Sequence, residues 1–337
     1  MSSVLIWCAA VILILLFLKM PVFLSLLTGT SIYFLSNSST SMQMIAQRAI
    51  SGMESTPLLA IPFFVCAGIF MNYSGVTKRI MDFCSVLTGR MWGGLAQVNV
   101  LLSTLMGGLS GSNIADAAME AKMLVPEMER KGFSKPFSTV VTATSAMITP
   151  LIPPGIGMIV YGSIAGVSIG KLFVAGIGPG LLLCLACMIL VRIISKKRGY
   201  KRLREDKISI GEKVAAVKPA FFPLLLPIII IGGIRIGIFT PTEAGSVAVV
   251  YAFLLGLLYR EMKLKDIVEG IKETALTTAT IMLIVGAASA FAWVLTKEQI
   301  PQQLTELMVG AIHNKWVFLM VVNIFLLIVG MFIEGNA

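Results

Sequence analysis

Long apolar runs recur along this chain and limit what it can fold into. Hydrophobic residues make up 57% of its 337 residues and charged residues only 13%, whereas soluble domains carry about 25% charged residues. A single soluble core stops growing at roughly 250–300 residues, so it has no room for this much apolar surface. The sequence therefore predicts an all-α polytopic membrane protein, since helices satisfy their own backbone groups in lipid.

The individual spans can be placed because a transmembrane helix needs about 20 apolar residues. The first run lacks a basic segment before it and a small-residue cleavage pattern after it, so we interpret it as a retained span and not as a signal peptide. The predicted spans are residues 3–19, 20–36, 57–76, 137–166, 171–194, 219–236, 243–259 and 273–295.

The cationic residues predict the orientation of these spans. Ten of the 27 Lys and Arg residues lie between Arg192 and Lys218. Cytoplasmic loops carry an excess of Lys and Arg, so we interpret this segment as a solvated cytoplasmic linker and not as a nucleic-acid site. Counting spans outward from it places the N-terminus in the periplasm and 21 of the 27 cations in the cytoplasm.

This count leaves segment 91–128 with both ends in the cytoplasm. Its first arm, Leu95 to Leu109, is about 22 Å long at 1.5 Å per residue, which is shorter than the ~30 Å hydrocarbon core. The sequence therefore predicts a re-entrant hairpin with Ser110–Asn113 at its tip.

The second half of the chain repeats the first. Residues 92–113 align with residues 316–337 with six of 22 positions identical, among them Trp92 with Trp316 and Asn99 with Asn323. The preceding spans correspond in order but start from opposite sides of the membrane, which predicts an inverted repeat. The predicted organisation is a first repeat over 1–195, a cytoplasmic linker over 196–218 and a second repeat over 219–337. Because 337 corresponds to the middle of the hairpin, we expect about 80 further residues in a complete second repeat.

A second break interrupts the apolar run 137–166. Pro150, Pro153 and Pro154 lack amide donors and so release carbonyl groups from helical hydrogen bonding. Irregular backbone survives in a membrane only where protein, water or an ion satisfies it. Free carbonyls, together with the hydroxyl and amide oxygens at the hairpin tip, are hard donors that suit Na⁺.

Several polar or small residues near these breaks have two explanations. Gly107 and Gly108 fit close helix packing as well as a functional site. Asp116 and Glu120 lie four residues apart on one helix face, and acids within a membrane are candidates for function. Each could instead cap or pair locally, for example Glu120 with Lys122.

The cysteines and the histidine argue against a metal centre or an enzyme. Cys184 and Cys187 form a CxxC pattern inside an apolar helix, where a redox or metal role would need exposure and further ligands. His313 is the single histidine, which excludes a site with several histidines. The chain has no GxGD or HExxH pattern, so we predict that it is not an enzyme.

Residues 108–162, together with Thr56–Gly75 and Phe239–Gly256, resemble the large membrane subunit of TRAP (tripartite ATP-independent periplasmic) transporters. The resemblance implies an elevator-type carrier in the bacterial inner membrane that imports an organic acid by Na⁺ symport. It also implies a periplasmic binding protein, a small membrane subunit and no cofactor beyond Na⁺ as coupling ion. Because the chain starts at its first span, we expect the small subunit to be a separate polypeptide.

The resemblance also implies roles for individual residues. One Na⁺ site would be formed by Ser110, Gly111, Ser112, Asn113, Thr149, Pro150, Ile152, Pro153 and Gly155. The second hairpin would contribute Gly330, Glu334, Gly335 and Asn336 to another Na⁺ site. Residues near the substrate would be Thr142, Thr144, Ser145 and Asp116.

Three alternative functions remain open from the sequence. A stand-alone Na⁺-coupled elevator carrier for dicarboxylates would share the inverted repeats. The permease of an ATP-driven importer would keep its P-loop on another subunit, although inverted hairpins disfavour it. An intramembrane enzyme is disfavoured by the missing catalytic patterns.

Overall fold

A computed structural model describes residues 3–37, 40–206, 209–312 and 314–331. These residues form helices joined by turns and contain no β-strand, which confirms the prediction of an all-α polytopic protein. They divide into two compact units, one made of Met1–Ser55 with Thr278–Ala337 and the other of Thr56–Thr277.

The α-helices are numbered in chain order. They are α1 Ser3–Phe17, α2 Val22–Ser36, α3 Gln43–Met53, α4 Ala60–Tyr73, α5 Val76–Thr88, α6 Gly94–Ser110, α7 Asn113–Arg130, α8 Lys135–Ser145, α9 Ile156–Ala165, α10 Ile169–Arg198, α11 Ile210–Arg235, α12 Pro241–Leu258, α13 Leu264–Lys297, α14 Ile300–Ala311 and α15 Lys315–Gly330. Two 3₁₀ helices, Thr56–Leu59 and Ala146–Leu151, precede α4 and follow α8.

The unit that contains the N-terminus has an apolar core between α1, α2 and α13. Leu5 and Phe34 are buried in it, and Phe34 stacks on Trp293 with 5.5 Å between ring centroids. The buried Tyr33 donates its hydroxyl hydrogen to the Glu298 carboxylate at 2.6 Å. Ring packing and this hydrogen bond therefore connect the N-terminal helices to the end of α13.

The larger unit, Thr56–Thr277, contains both predicted backbone breaks. Helices α4 and α12 pack closely because Gly245 has no side chain, and a Cβ there would lie 2.9 Å from the Phe63 Cβ. On α10, Leu182 and Ile189 are exposed, as expected for a lipid-facing side, whereas Cys184 and Cys187 are buried on the opposite side. The cysteines therefore pack within the unit.

Helix lengths agree with most of the predicted spans. In the described part of the chain, five helical segments are long and apolar enough to cross a membrane: Thr56–Tyr73, Ile169–Arg198, Val214–Arg235, Pro241–Leu258 and Leu264–Lys297. The predicted span 137–166 is instead a bent pair, Lys135–Leu151 and Ile156–Ala165, with 44° between its parts. The predicted spans 3–19 and 20–36 become helices of 15 residues each, shorter than the template used to place them.

The predicted linker 196–218 is partly helical, because helices extend into it from both sides. Helix α10 continues to Arg198 and ends where Gly199 adopts a left-handed conformation with φ +72°. Helix α11 begins at Ile210 after Ser209, whose hydroxyl accepts the Glu212 amide hydrogen at 3.1 Å. Glycine ends and serine caps of this kind fix helix boundaries independently of hydropathy.

The shorter connection that remains is attached to the neighbouring turns. The backbone amides of Leu203 and Arg204 both donate to the Gly89 carbonyl at 3.0 Å. The Tyr200 hydroxyl donates to the Ser134 hydroxyl at 3.1 Å. The connection therefore contacts its neighbours, while most of its described residues are exposed, as expected of a solvated linker.

Glycine in α6 allows the first hairpin to approach the broken helix, and this generates a prediction. A Cβ at Gly107 would lie 2.9 Å from the Thr149 Cα and carbonyl oxygen, which are backbone atoms with little freedom to move. We expect Gly107→Ala to destabilise the unit by about 1–3 kcal/mol, the usual cost of overpacking, and to lower the midpoint of thermal unfolding of the purified protein.

Gly232→Ala is the matched control for this prediction. Gly232 lies in α11, and a Cβ there would meet nothing within 4 Å. Alanine is favoured over glycine in a helix, so this variant should unfold at the wild-type temperature or above it. Equal unfolding midpoints for the two variants would contradict the close packing described for Gly107.

Candidate functional site

The first hairpin turns between α6 and α7 at Gly111 and Ser112. Gly111 has a φ of +62°, a left-handed conformation that glycine adopts without strain, and a Cβ there would lie 2.3 Å from the Pro154 carbonyl oxygen. The Ser112 hydroxyl accepts the Ala115 amide hydrogen at 3.4 Å and so caps α7. The hairpin tip is thus a two-residue break. Its positive φ and the nearby Pro154 carbonyl both restrict position 111 to glycine.

The second break lies directly against this tip. The chain leaves the 3₁₀ helix at Leu151 and resumes helical structure at Ile156, whose amide donates to the Gly111 carbonyl at 3.4 Å. Gly155 allows the chain to fold back here, because a Cβ would lie 2.3 Å from the Pro150 carbonyl oxygen. Two interrupted helices therefore meet at their breaks.

Asp116 connects the two breaks from the first turn of α7. Its side chain is completely buried, and its Oδ2 accepts hydrogen bonds from the Ser110 hydroxyl at 2.7 Å and the Thr149 hydroxyl at 3.0 Å. Its Oδ1 is buried and has no hydrogen-bond partner among the described residues. One carboxylate thus holds the hairpin and the broken helix together and keeps one oxygen free.

Glu120 lies one helical turn further along the same face and is also completely buried. Its Oε2 accepts a hydrogen bond from the Ser103 hydroxyl at 2.6 Å, and its Oε1 has no hydrogen-bond partner among the described residues. Among the described residues, neither Glu120 nor Asp116 forms an ion pair. The alternative in which Glu120 pairs with Lys122 is therefore not observed. An uncompensated buried carboxylate is costly, so each of these acids requires a proton or a bound cation.

A third polar contact joins the middle of α6 to α8. Asn99 is completely buried, and its side-chain amide donates to the Thr142 hydroxyl at 2.7 Å. The Ser145 hydroxyl donates to the Asn99 side-chain oxygen at 2.9 Å. Thr142 and Ser145, both predicted near the substrate, are therefore engaged in holding helices together.

Thr144 faces away from this contact. It is exposed and lines an otherwise apolar groove of about 140 Å³ between α6, α8 and α10. The structure thus separates the three hydroxyl residues that the sequence analysis placed together.

The predicted residues of the first ion site are brought together in one unit. The half-buried Asn113 side chain makes no hydrogen bond to the described residues, so its amide oxygen is available to a ligand. Pro150, Ile152 and Pro153 contribute backbone at the second break. The predicted set at this junction is Ser110, Gly111, Ser112, Asn113, Thr149, Pro150, Ile152, Pro153 and Gly155.

The predicted second ion site is described only at its edge. Gly330 is the last residue of α15, is exposed, and a Cβ there would meet nothing within 4 Å. Glu334, Gly335 and Asn336 lie outside the described residues, as does His313.

Asn99 and Ser103 were not identified as site residues from the sequence. They lie four residues apart in α6, and together with Gly107 they mark one face of that helix. A polar stripe at this spacing could have shown which side of α6 faces α7 and α8.

The chemistry of the junction is that of a hard-cation site. It offers hydroxyl, amide and carbonyl oxygens, together with a buried carboxylate oxygen that has no partner among the described residues. The described residues contain no group of three or more His, Cys, Asp or Glu residues placed to hold a metal ion. Hydroxyl, amide, carbonyl and carboxylate oxygens suit a hard cation better than a soft metal.

Comparison with known proteins identifies the family to which the sequence is similar. Residues 9–337 match the family described as the tripartite ATP-independent periplasmic transporter, DctM component.

Three relatives show how far the similarity extends. The chain is 41% identical over 324 residues to the sialic acid TRAP transporter large permease protein SiaM of Vibrio cholerae, which covers 96% of this chain and 75% of the relative. It is 39% identical over 301 residues to the C4-dicarboxylate TRAP transporter large permease protein DctM of Pseudomonas aeruginosa, covering 89% and 70%. It is 36% identical to the sialic acid TRAP transporter permease protein SiaT of Haemophilus influenzae, covering 96% of this chain and 53% of the relative. Coverage and identity at this level show that the chain belongs to the family of TRAP transporter large permeases, the DctM component.

Proposed function

We propose that this chain is the permease through which a TRAP transporter imports an organic acid by Na⁺ symport. It would act in the bacterial inner membrane with its N-terminus in the periplasm, together with a small membrane subunit and a periplasmic binding protein. In this proposal the predicted inverted repeats move the substrate across the membrane as an elevator.

The observation that carries this proposal is the junction of two interrupted helices at Asp116. Both breaks lie within apolar helices, where backbone polar groups are costly unless protein, water or an ion satisfies them. The Ser110 and Thr149 hydroxyls, one from each broken element, both reach Asp116 Oδ2. A cation bound beside Oδ1 would compensate the buried charge and stabilise the junction.

We assign Asp116 to the ion and not to the substrate. A buried carboxylate attracts a cation and repels an anionic organic acid. Because Asp116 touches both elements, ion binding there would set how the hairpin tip sits against the broken helix. In this proposal, Na⁺ binding at Asp116 is therefore coupled to the conformation of the substrate site.

The names of the relatives support an organic acid as cargo. They describe transporters of sialic acid, C4-dicarboxylates and 2,3-diketo-L-gulonate, all of which carry a carboxylate. Thr144, with its exposed hydroxyl, is the candidate among the predicted substrate residues that is not already engaged in a helix contact. We therefore propose a carboxylate substrate without assigning one acid.

The complete transporter tests this proposal in liposomes. With this chain and its small subunit reconstituted, we expect uptake of a labelled organic acid only when both an inward Na⁺ gradient and the periplasmic binding protein are present. Uptake that needs Na⁺ and no binding protein would instead establish a stand-alone carrier. Uptake that is indifferent to Na⁺ would contradict the ion site.

Asp116→Asn tests the ion site directly. The substitution removes the charge and keeps the shape. Hydrogen bonds to charged groups are worth about 1.5–3 kcal/mol, so we expect the half-saturating Na⁺ concentration for uptake to rise about tenfold or more. Glu129→Gln is the matched control, because Glu129 is an exposed acid on the same helix. A parallel change in both variants would contradict the assignment.

The hairpin tip provides a second test. We expect Ser112→Ala and Asn113→Ala to weaken the Na⁺ dependence of uptake, measured as the same activation curve. Asn113→Ala is the cleaner variant, because loss of the Ser112 cap alone costs about 0.5–2 kcal/mol of helix stability. Thr139→Ala, at an exposed position of α8, should have no effect. Unchanged activation curves for both tip variants would show that the ligand assignment is wrong.

A further inference from the structure

Two cationic side chains lie at one end of neighbouring apolar helices, and neither belongs to the candidate ion site. Lys171 is in the first turn of α10, and Arg235 is the last residue of α11. Both helices are long and apolar enough to cross a membrane, and the basic linker joins their other ends. Lys171 and Arg235 therefore lie on the same side of the membrane, opposite the linker.

These two residues line one cavity of about 980 Å³. Its lining contains no Asp or Glu residue. Both side chains are exposed, and neither forms a hydrogen bond or an ion pair with the described residues. The cavity thus presents two positive charges from two different helices with no anion to balance them.

The rest of the lining is mainly apolar. Val167, Val174, Ile234 and Phe239 all face this space. The dipole of this 30-residue helix, whose first turn contains Lys171, adds to the positive potential there. A ligand that fits both features carries an anionic group and an apolar body.

From this arrangement we propose that the cavity binds the headgroup of an anionic phospholipid at the membrane surface opposite the basic linker. Lys171 and Arg235 contact the phosphate, and the apolar lining accepts the glycerol and the upper acyl chains. The position fits this ligand, since the ends of membrane-spanning helices lie at the level of the headgroups.

Snorkelling of a single cation toward the interface is the simpler explanation of Arg235. Snorkelling involves Arg235 alone, and it needs neither a residue of α10 nor a cavity. The shared lining, with Lys171 contributed by α10, is what favours a bound anion. A small soluble anion would use the two charges but would gain nothing from Val174 or Phe239.

The test is lipid binding to the purified transporter that contains this chain, followed by native mass spectrometry. Dioleoylphosphatidylglycerol and dioleoylphosphatidylcholine have the same acyl chains and differ in charge. We expect tighter binding of the glycerol lipid. We also expect Lys171→Gln with Arg235→Gln to weaken it about thirtyfold, since each cation near a lipid surface contributes about 1 kcal/mol.

Two further variants separate this site from general charge effects. Lys263→Gln with Lys265→Gln removes the same charge from exposed positions before and at the start of α13, and it should leave binding unchanged. Lys171→Arg with Arg235→Lys keeps both charges and should retain the preference for the glycerol lipid. Unchanged unfolding midpoints show that each variant is folded.

Equal affinity of the Gln double variant and the wild type for the glycerol lipid would overturn the proposal. A loss of affinity in the Lys263 and Lys265 control as large as in the Lys171 and Arg235 variant would also overturn it. Displacement of the lipid by an equal concentration of inorganic phosphate would show a site for free anions and not for a lipid headgroup.

Discussion

The two hydroxyl hydrogen bonds to Asp116 Oδ2 hold the two chain breaks of the larger unit together. Ser110 donates from the end of α6 and Thr149 from the 3₁₀ helix, so one buried carboxylate fixes two chain breaks against each other. In a membrane such breaks expose backbone groups that lipid cannot satisfy. The contact therefore makes an otherwise costly arrangement stable, and it leaves one carboxylate oxygen for a cation.

Small residues allow the breaks to come this close. A side chain at Gly107 or Gly111 would meet backbone atoms of the broken helix, and one at Gly155 would meet the Pro150 carbonyl within the same break. Below the junction, Ser103 with Glu120 and Asn99 with Thr142 continue the polar contacts along α6. The hairpin is thus held by a column of buried hydrogen bonds, and such networks specify one arrangement of helices when their members are satisfied. Asp116 Oδ1 and Glu120 Oε1 have no hydrogen-bond partner among the described residues, so a proton or an ion can bind at these atoms.

The breaks could be predicted from the sequence because their causes are local. A glycine and serine tip between arms too short to span, and three prolines within five residues, interrupt helices whatever their neighbours are. The partners of Asp116 could not be predicted in this way, because Thr149 is 33 residues away and pairs only through packing. Helices α3, α5 and α14 were missed because they are short and carry polar residues, so a search for long apolar runs passes over them. The separation of Thr144 from Thr142 and Ser145 follows from helical geometry, which places residues one or two positions apart on different faces.

Structures of the complete transporter determined by electron cryomicroscopy, in Na⁺ and in choline, test the central claim most directly. The account predicts density for an ion beside Asp116 Oδ1 in Na⁺, enclosed by oxygens of the hairpin tip and the broken helix, and its loss in choline. Identical maps in the two salts, with Asp116 Oδ1 contacted by a protein side chain, would contradict the claim that this junction is built to hold the coupling ion.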